Sequence, residues 1–89
     1  MALTKETVVD KIEVLEMGQV QVRTATRVKE DGAVLSSSFS RHVVEPSTKA
    51  SGSWADTDIS GEDARVQAVA NATWTDSVKT AYRAMIDAL

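Results

Sequence analysis

The residue best suited to proton transfer near neutrality in this 89-residue chain is its single histidine, His42. A general base also needs a reacting group within reach and a second group to orient it. His42 stands among serines and beside Arg41, with no acid at a strand or helix offset that would fix its tautomer. It therefore reads as an exposed strand residue. Ser36-Ser37-Ser38 offers hydroxyls, but an activated serine needs a neighbouring base and an oxyanion site, usually at a sharp turn. On successive strand positions these serines point to alternating faces, as a polar strand surface would. Asp56, Asp58, Glu62 and Asp63 cluster, and of these Asp56 and Asp58 with Gly61 fit part of a calcium loop, Ser60 being the only further ligand type in register. The distal glutamate of such a loop is missing, so helix capping and solvation explain these acids better. Asn71-Ala72-Thr73 matches a glycosylation sequon but falls inside an expected helix. The four glycines, at 18, 32, 52 and 61, punctuate turns and caps and build no phosphate loop. No catalytic, cofactor-binding or metal-ligating residue is assigned, and no cofactor is expected.

Composition narrows the classes further. There is no cysteine, which excludes disulfides and thiolate metal sites. The net charge is −3, from 13 acidic and 10 basic residues spread along the chain, so the basic footprint of a nucleic-acid binder is missing. No stretch approaches the roughly 20 apolar residues of a membrane span. Met1-Ala2-Leu3-Thr4-Lys5-Glu6 lacks the apolar run of a signal peptide. Synthesis in a cytoplasm is expected, which leaves later delivery inside a particle open. So short a chain has a thin core, and association with other subunits is one way to support it.

The elements that would position these residues follow from periodicity. From 19 to 29 the chain alternates, with Val20, Val22, Thr24, Thr26 and Val28 on one side. Gln21, Arg23, Ala25, Arg27 and Lys29 take the other, as a half-buried strand requires. Residues 8–16 read as its partner across Met17-Gly18; Val8, Ile12 and Val14 share a parity in which Asp10 is a defect. Asp31-Gly32 signals a second hairpin, leading to a strand over 34–45 with Leu35, Phe39 and Val43 on one face. Pro46 ends it. Residues 47–59, rich in Ser, Thr, Asp and Gly, read as a long surface loop carrying Trp54. A helix is expected from a Ser60 cap to about residue 72, and a second from the Thr75-Asp76-Ser77 cap signal. Val78, Ala81, Tyr82, Met85, Ile86 and Leu89 give that second helix an apolar stripe, and Trp74 falls at the corner between the two. The expectation is one α+β domain over 1–89: a three-stranded antiparallel β-meander over 7–45, a loop over 46–60, and a helical hairpin over 61–89.

With catalysis set aside, surfaces remain. Trp54 is either an interface anchor or a cover for one edge of the core. A meander also leaves two strand edges with unpaired backbone groups, where subunits can extend a sheet. Trp54, Trp74 and a sheet face around Arg23, Arg27 and His42 are the candidate protein-interface residues.

Several segments resemble a group of small proteins encoded by tailed bacteriophages. They are Thr4-Lys5-Glu6, Asp10-Lys11-Ile12-Glu13-Val14-Leu15-Glu16, Gly18-Gln19-Val20-Gln21-Val22-Arg23, Ser40-Arg41-His42-Val43-Val44 with Pro46, and Ala70-Asn71-Ala72-Thr73-Trp74-Thr75. The resemblance covers most of the chain outside residues 47–59, where this sequence carries extra residues. Such proteins tend to be encoded near tail and fibre genes and have no established catalytic motif, so no site residue carries over. The resemblance implies a structural component of the virion, in the tail, baseplate or fibre-attachment region. Its partners would be other virion subunits, as a homo-oligomer or in multiple copies, with no nucleic acid and no membrane. The alternative is an intracellular phage-encoded binding module that modulates a host or phage protein.

Overall fold

The alternation of small and β-branched residues with charged ones makes Val20–Glu30 (β2) the central strand of an antiparallel sheet. In the computed structural model, which describes residues 2–89, it is flanked by Leu3–Val14 (β1) and Ala33–Val44 (β3) in the order β1-β2-β3. Met1, the first residue of the expected domain, lies outside the described residues. β1 begins at Leu3, earlier than the pattern of apolar residues suggested, because Lys5, Thr7 and their neighbours pair along the backbone without burying a face.

Asp10, the defect in the alternation of β1, marks a register break: Val9 lies opposite Thr24 and Lys11 opposite Arg23. One extra residue reverses the parity of the strand beyond it. Val9 joins Ile12 against the core, while Val8 turns to the other face opposite Ala25.

The core is built on one face of one half of the sheet. Val20, Val22 and Val44 meet Val66, Ala70 and Trp74, with Val9, Ile12, Ile59, Val69 and Val78 packed around them. Ala64–Thr73 (α1) lies over β2 and ends at Trp74, whose indole Nε1 donates to the Gly18 carbonyl at 2.7 Å. Gly18, at φ +89°, closes the β1–β2 turn under that ring; a Cβ there would sit 2.5 Å from Val78 Cγ1 and 3.1 Å from Pro46 Cγ. The turn is therefore part of the core.

Residues 47–59 are not the open loop their composition suggested. Ser47–Ala50 (β4) and Ser53–Asp56 (β5) form a second, two-stranded antiparallel sheet closed at Ser51-Gly52. Small polar residues hid the hairpin because its strands span only four residues each and bury little. Asp76–Asp87 (α2) packs on β4, so the two helices address different strands instead of forming a hairpin whose main partner is itself. The cap at Thr75 is as expected, its side chain accepting from the Val78 amide. At α1 the cap is Asp63 instead of Ser60, which is drawn into a turn by the Asp58 carboxylate.

Beyond the helices the sheet continues uncovered. A twelve-residue strand runs about 40 Å at roughly 3.3 Å per residue, and the molecule measures 56 × 23 × 22 Å. Its radius of gyration is 16.8 Å, against about 12 Å for a compact domain of this length. The shape is a helix-covered base with a projecting β blade.

Candidate functional site

Of the residues that could do chemistry, His42 has a partner the sequence did not disclose. Its Nε2 lies 2.7 Å from Glu62 Oε1, a pairing made across the fold between β3 and the segment leading into α1. That segment is fixed by the Glu62 amide donating to the Ile59 carbonyl and by Gln67 Nε2 donating to the Glu62 carbonyl. A carboxylate can orient an imidazole, but a nucleophile must complete the relay. No hydroxyl is hydrogen-bonded to the ring among the described residues. Ser36, Ser37 and Ser38 lie further along β3, opposite Val28, Arg27 and Thr26, all exposed.

The four clustered acids disperse into separate roles. Asp56 pairs with Lys79 and Arg83 of α2 at 3.1 and 3.5 Å. Asp58 accepts from the Ser60 amide at 2.9 Å, the chief reason its carboxyl is held below the ordinary range. Glu62 meets His42, and Asp63 caps α1 by accepting from the Arg65 amide. Among the described residues no three His, Cys, Asp or Glu side chains gather in a metal-binding group. Two surface depressions, of about 40 and 170 Å³, fall below the roughly 300 Å³ at which small-molecule pockets begin. No helix among the described residues is long and apolar enough to cross a membrane.

The interface candidates separate as clearly. Trp74 is a core residue. Trp54 folds onto α2: its ring meets Tyr82 edge to face at 6.2 Å and 74°, and its Nε1 donates to Asp87 Oδ2 at 3.3 Å. Lys49 lies over the same ring and bonds Asp87 at 2.8 Å, so the tryptophan joins the small hairpin to the base. Arg23 and Arg27 share the sheet face away from the helices, whereas His42, opposite Val22, lies on the helix side. The expected common patch of Arg23, Arg27 and His42 therefore splits, because the side-chain period of two places register-neighbours 22 and 42 together and 23 elsewhere.

On the helix-free face a different cluster forms. Arg23 grips Asp10 with two hydrogen bonds, at 3.0 and 2.8 Å, and its guanidinium sits 4.6 Å from the Phe39 ring centroid. That hydrogen bonding holds the Asp10 carboxyl below its ordinary range and raises the Arg23 guanidinium. Ala25, between Val8 and Phe39 in the register, is fully buried although no helix of the core lies on that side. Towards the tip Glu6 bonds Lys29 at 2.6 Å, which chiefly lowers its carboxyl, with Arg27 at 3.9 Å.

The two edges of the sheet differ. β1 carries Lys5, Glu6, Asp10, Lys11 and Glu13, is broken by the bulge, and at Val9 its carbonyl accepts from Arg65 of α1. Charges, bulges and covering groups are the usual means of protecting an edge. β3 has none of these over most of its length. Residues 33–43 are all exposed, residues 33–40 carry no charge, and Val34, Leu35, Phe39 and Val43 are each about half exposed or more. Leu35, Phe39 and Val43 were visible in the sequence as one parity of a strand. What their spacing could not reveal is that the helices cover the other face.

Compared with protein-family models, with curated proteins and with solved structures, the chain finds no match in any of the three.

Proposed function

We propose that this chain is a non-enzymatic structural component of a tailed-phage particle, in the tail, baseplate or fibre-attachment region, working through contacts with other protein subunits. The observation that carries the assembly reading is the asymmetry of the sheet: a guarded β1 edge against a bare, partly apolar β3 edge on a blade that projects from the base. Exposed edges of this kind pair readily with other strands, and natural proteins that need to stay monomeric blunt them. Extra exposed area supports the same reading. The accessible surface is 5825 Å², whereas a compact monomer of 9.6 kDa exposes about 5,100 Å². Burial between subunits in a symmetric assembly stabilises a small protomer by mass action.

Placement in a phage particle rests on the resemblance of the segments quoted above. Mass spectrometry and cross-linking of purified particles test it directly. The expected result is this chain in mature particles, with cross-links from the blade to neighbouring subunits. Its absence from mature particles would remove the virion assignment in favour of an intracellular binding module that uses the same edge.

A further inference from the structure

We propose that the β3 edge pairs with β3 of a second copy of this chain, antiparallel, about a two-fold axis through Phe39. This rests on the reading that the chain works through subunit contacts, and it names the contact.

The strand is a palindrome of polarity. Outward from Phe39, the polar residues Ser38, Ser37 and Ser36 on one side mirror Ser40, Arg41 and His42 on the other. Beyond them the apolar Leu35 and Val34 mirror Val43 and Val44. An isologous antiparallel pair sets each residue against its mirror position. Centred on Phe39, the contact opposes Phe39 to Phe39 and Ser37 to Arg41, and brings Val43 to either end of the regular stretch, beside the irregularity at Leu35. Directly opposed apolar and aromatic pairs are the stabilising unit of a sheet.

Other registers lose this match. A centre at Ser38 sets Phe39 against Ser37 and Leu35 against Arg41. A centre at Ser40 sets Phe39 against Arg41 and Leu35 against Glu45, while one at Arg41 opposes two arginines. A centre at Ser37 recovers Phe39 against Leu35 but drives Val43 onto Asp31 in the turn. In the Phe39 register the two Arg41 side chains stand four residues apart along the strand, about 13 Å, which exceeds the screening length of roughly 10 Å at 0.1 M salt.

The backbone suits this register. Residues 36–44 run unbroken against Val28 through Val20, and the only irregularity of β3 falls at Leu35, outside the seven central pairs. Phe39 is already held from the β2 side by Arg23, so little side-chain freedom remains to be lost on pairing. The elongated chain exposes about 700 Å² more than a compact monomer, spread over the faces and edges of the blade, and pairing along β3 covers part of it. The product is a six-stranded sheet in the order β1-β2-β3-β3-β2-β1, with both guarded β1 strands outermost.

The chain has no cysteine, so introduced thiols report unambiguously. Ser38→Cys and Ser40→Cys are directly opposed only in the Phe39-centred register, where Cβ atoms roughly 4.5–5.5 Å apart need only a small closure to reach the roughly 3.5–4.5 Å of a disulfide. Either variant alone must link across a diagonal of roughly 7–8 Å. The expected results are a sedimentation mass of twice 9.6 kDa and several-fold faster linking in the mixture than in either variant alone. Phe39→Lys is expected to give a monomer with an unchanged far-ultraviolet spectrum, since Phe39 lies outside the core. A wild-type chain that stays monomeric, or a dimer whose mixture links no faster than the single variants, overturns the proposal. A monomeric chain that is nevertheless found in particles sinks this contact alone. A dimer absent from particles sinks the virion reading alone.

Discussion

Gly18 and Gly32 close the two turns of the same meander with almost the same backbone, φ +89° and +87°, yet their surroundings have nothing in common. Gly18 is packed under Trp74, Pro46 and Val78, whereas an added Cβ at Gly32 would meet nothing within 4 Å. One sheet thus has two ends with different duties. The end at Gly18 is where the chain holds itself together, and the end at Gly32 is left free to meet something else. The difference follows from sequence order: both helices come after β3 and reach back only over the half of the sheet nearest Val44.

The strongest way to break the comparison is to remove what distinguishes the base. Trp74→Ala takes away a buried ring and its bond to the Gly18 carbonyl, and is expected to cost about 3–5 kcal/mol in urea unfolding. Gly18→Ala comes next. A left-handed conformation costs an L-residue roughly 1–2 kcal/mol, and overpacking against Val78 and Pro46 adds roughly 1–3 kcal/mol. Gly32→Ala carries only the first of these costs, so the gap between the two alanine variants measures the packing at the base. Equal losses at the two turns would contradict the division into base and blade.

Titration sharpens the same contrast with smaller effects. Tyr82, buried under the β4–β5 hairpin and beside the Glu45 carboxylate, has its hydroxyl pushed up to about 12, with burial the larger cause. The folded state then holds a proton that the unfolded chain releases near 10. Its contribution is complete below pH 10 and is lost as pH rises towards about 12. Tyr82→Phe should flatten that alkaline decline in the urea midpoint. Asp10 on the blade works with the opposite sign. Because the Arg23 hydrogen bonds lower its carboxyl, its contribution is present above the ordinary value of 3.8 and is lost as pH falls through the lower folded value. Asp10→Asn should make the acid limb of the same profile shallower. Trp54→Ala is expected to have the smallest effect of a large side chain here. Its edge-to-face contact with Tyr82 is worth about 0.5–1.5 kcal/mol beyond area, and assembly should be unchanged.

The meander and the second helix were legible because strict alternation in β2, Asp31-Gly32 and the Thr75 cap each encode local geometry in residue type. The β4–β5 hairpin was not, since Ser, Thr and Lys on two four-residue strands carry no apolar period. Asp10 was visible as an irregularity, but only the register identifies it as a bulge that moves Val8 and Val9 to opposite faces. The surface was the least legible part. Arg23 and Phe39 come together across two strands, His42 and Glu62 across the fold, and neither pair has a fixed spacing. That Phe39 is uncovered depends on how far two later helices reach.

Hydrogen exchange measured on the full chain over a range of protein concentrations tests the central claim most directly. If β3 is where copies meet, the alternate backbone amides of residues 33–43 that point away from β2 should exchange rapidly in dilute solution and become protected as concentration rises, while those bonded to β2 and those of β1 stay as they were. Protection that grows along β1 instead, or rates along β3 that ignore concentration, would contradict the account.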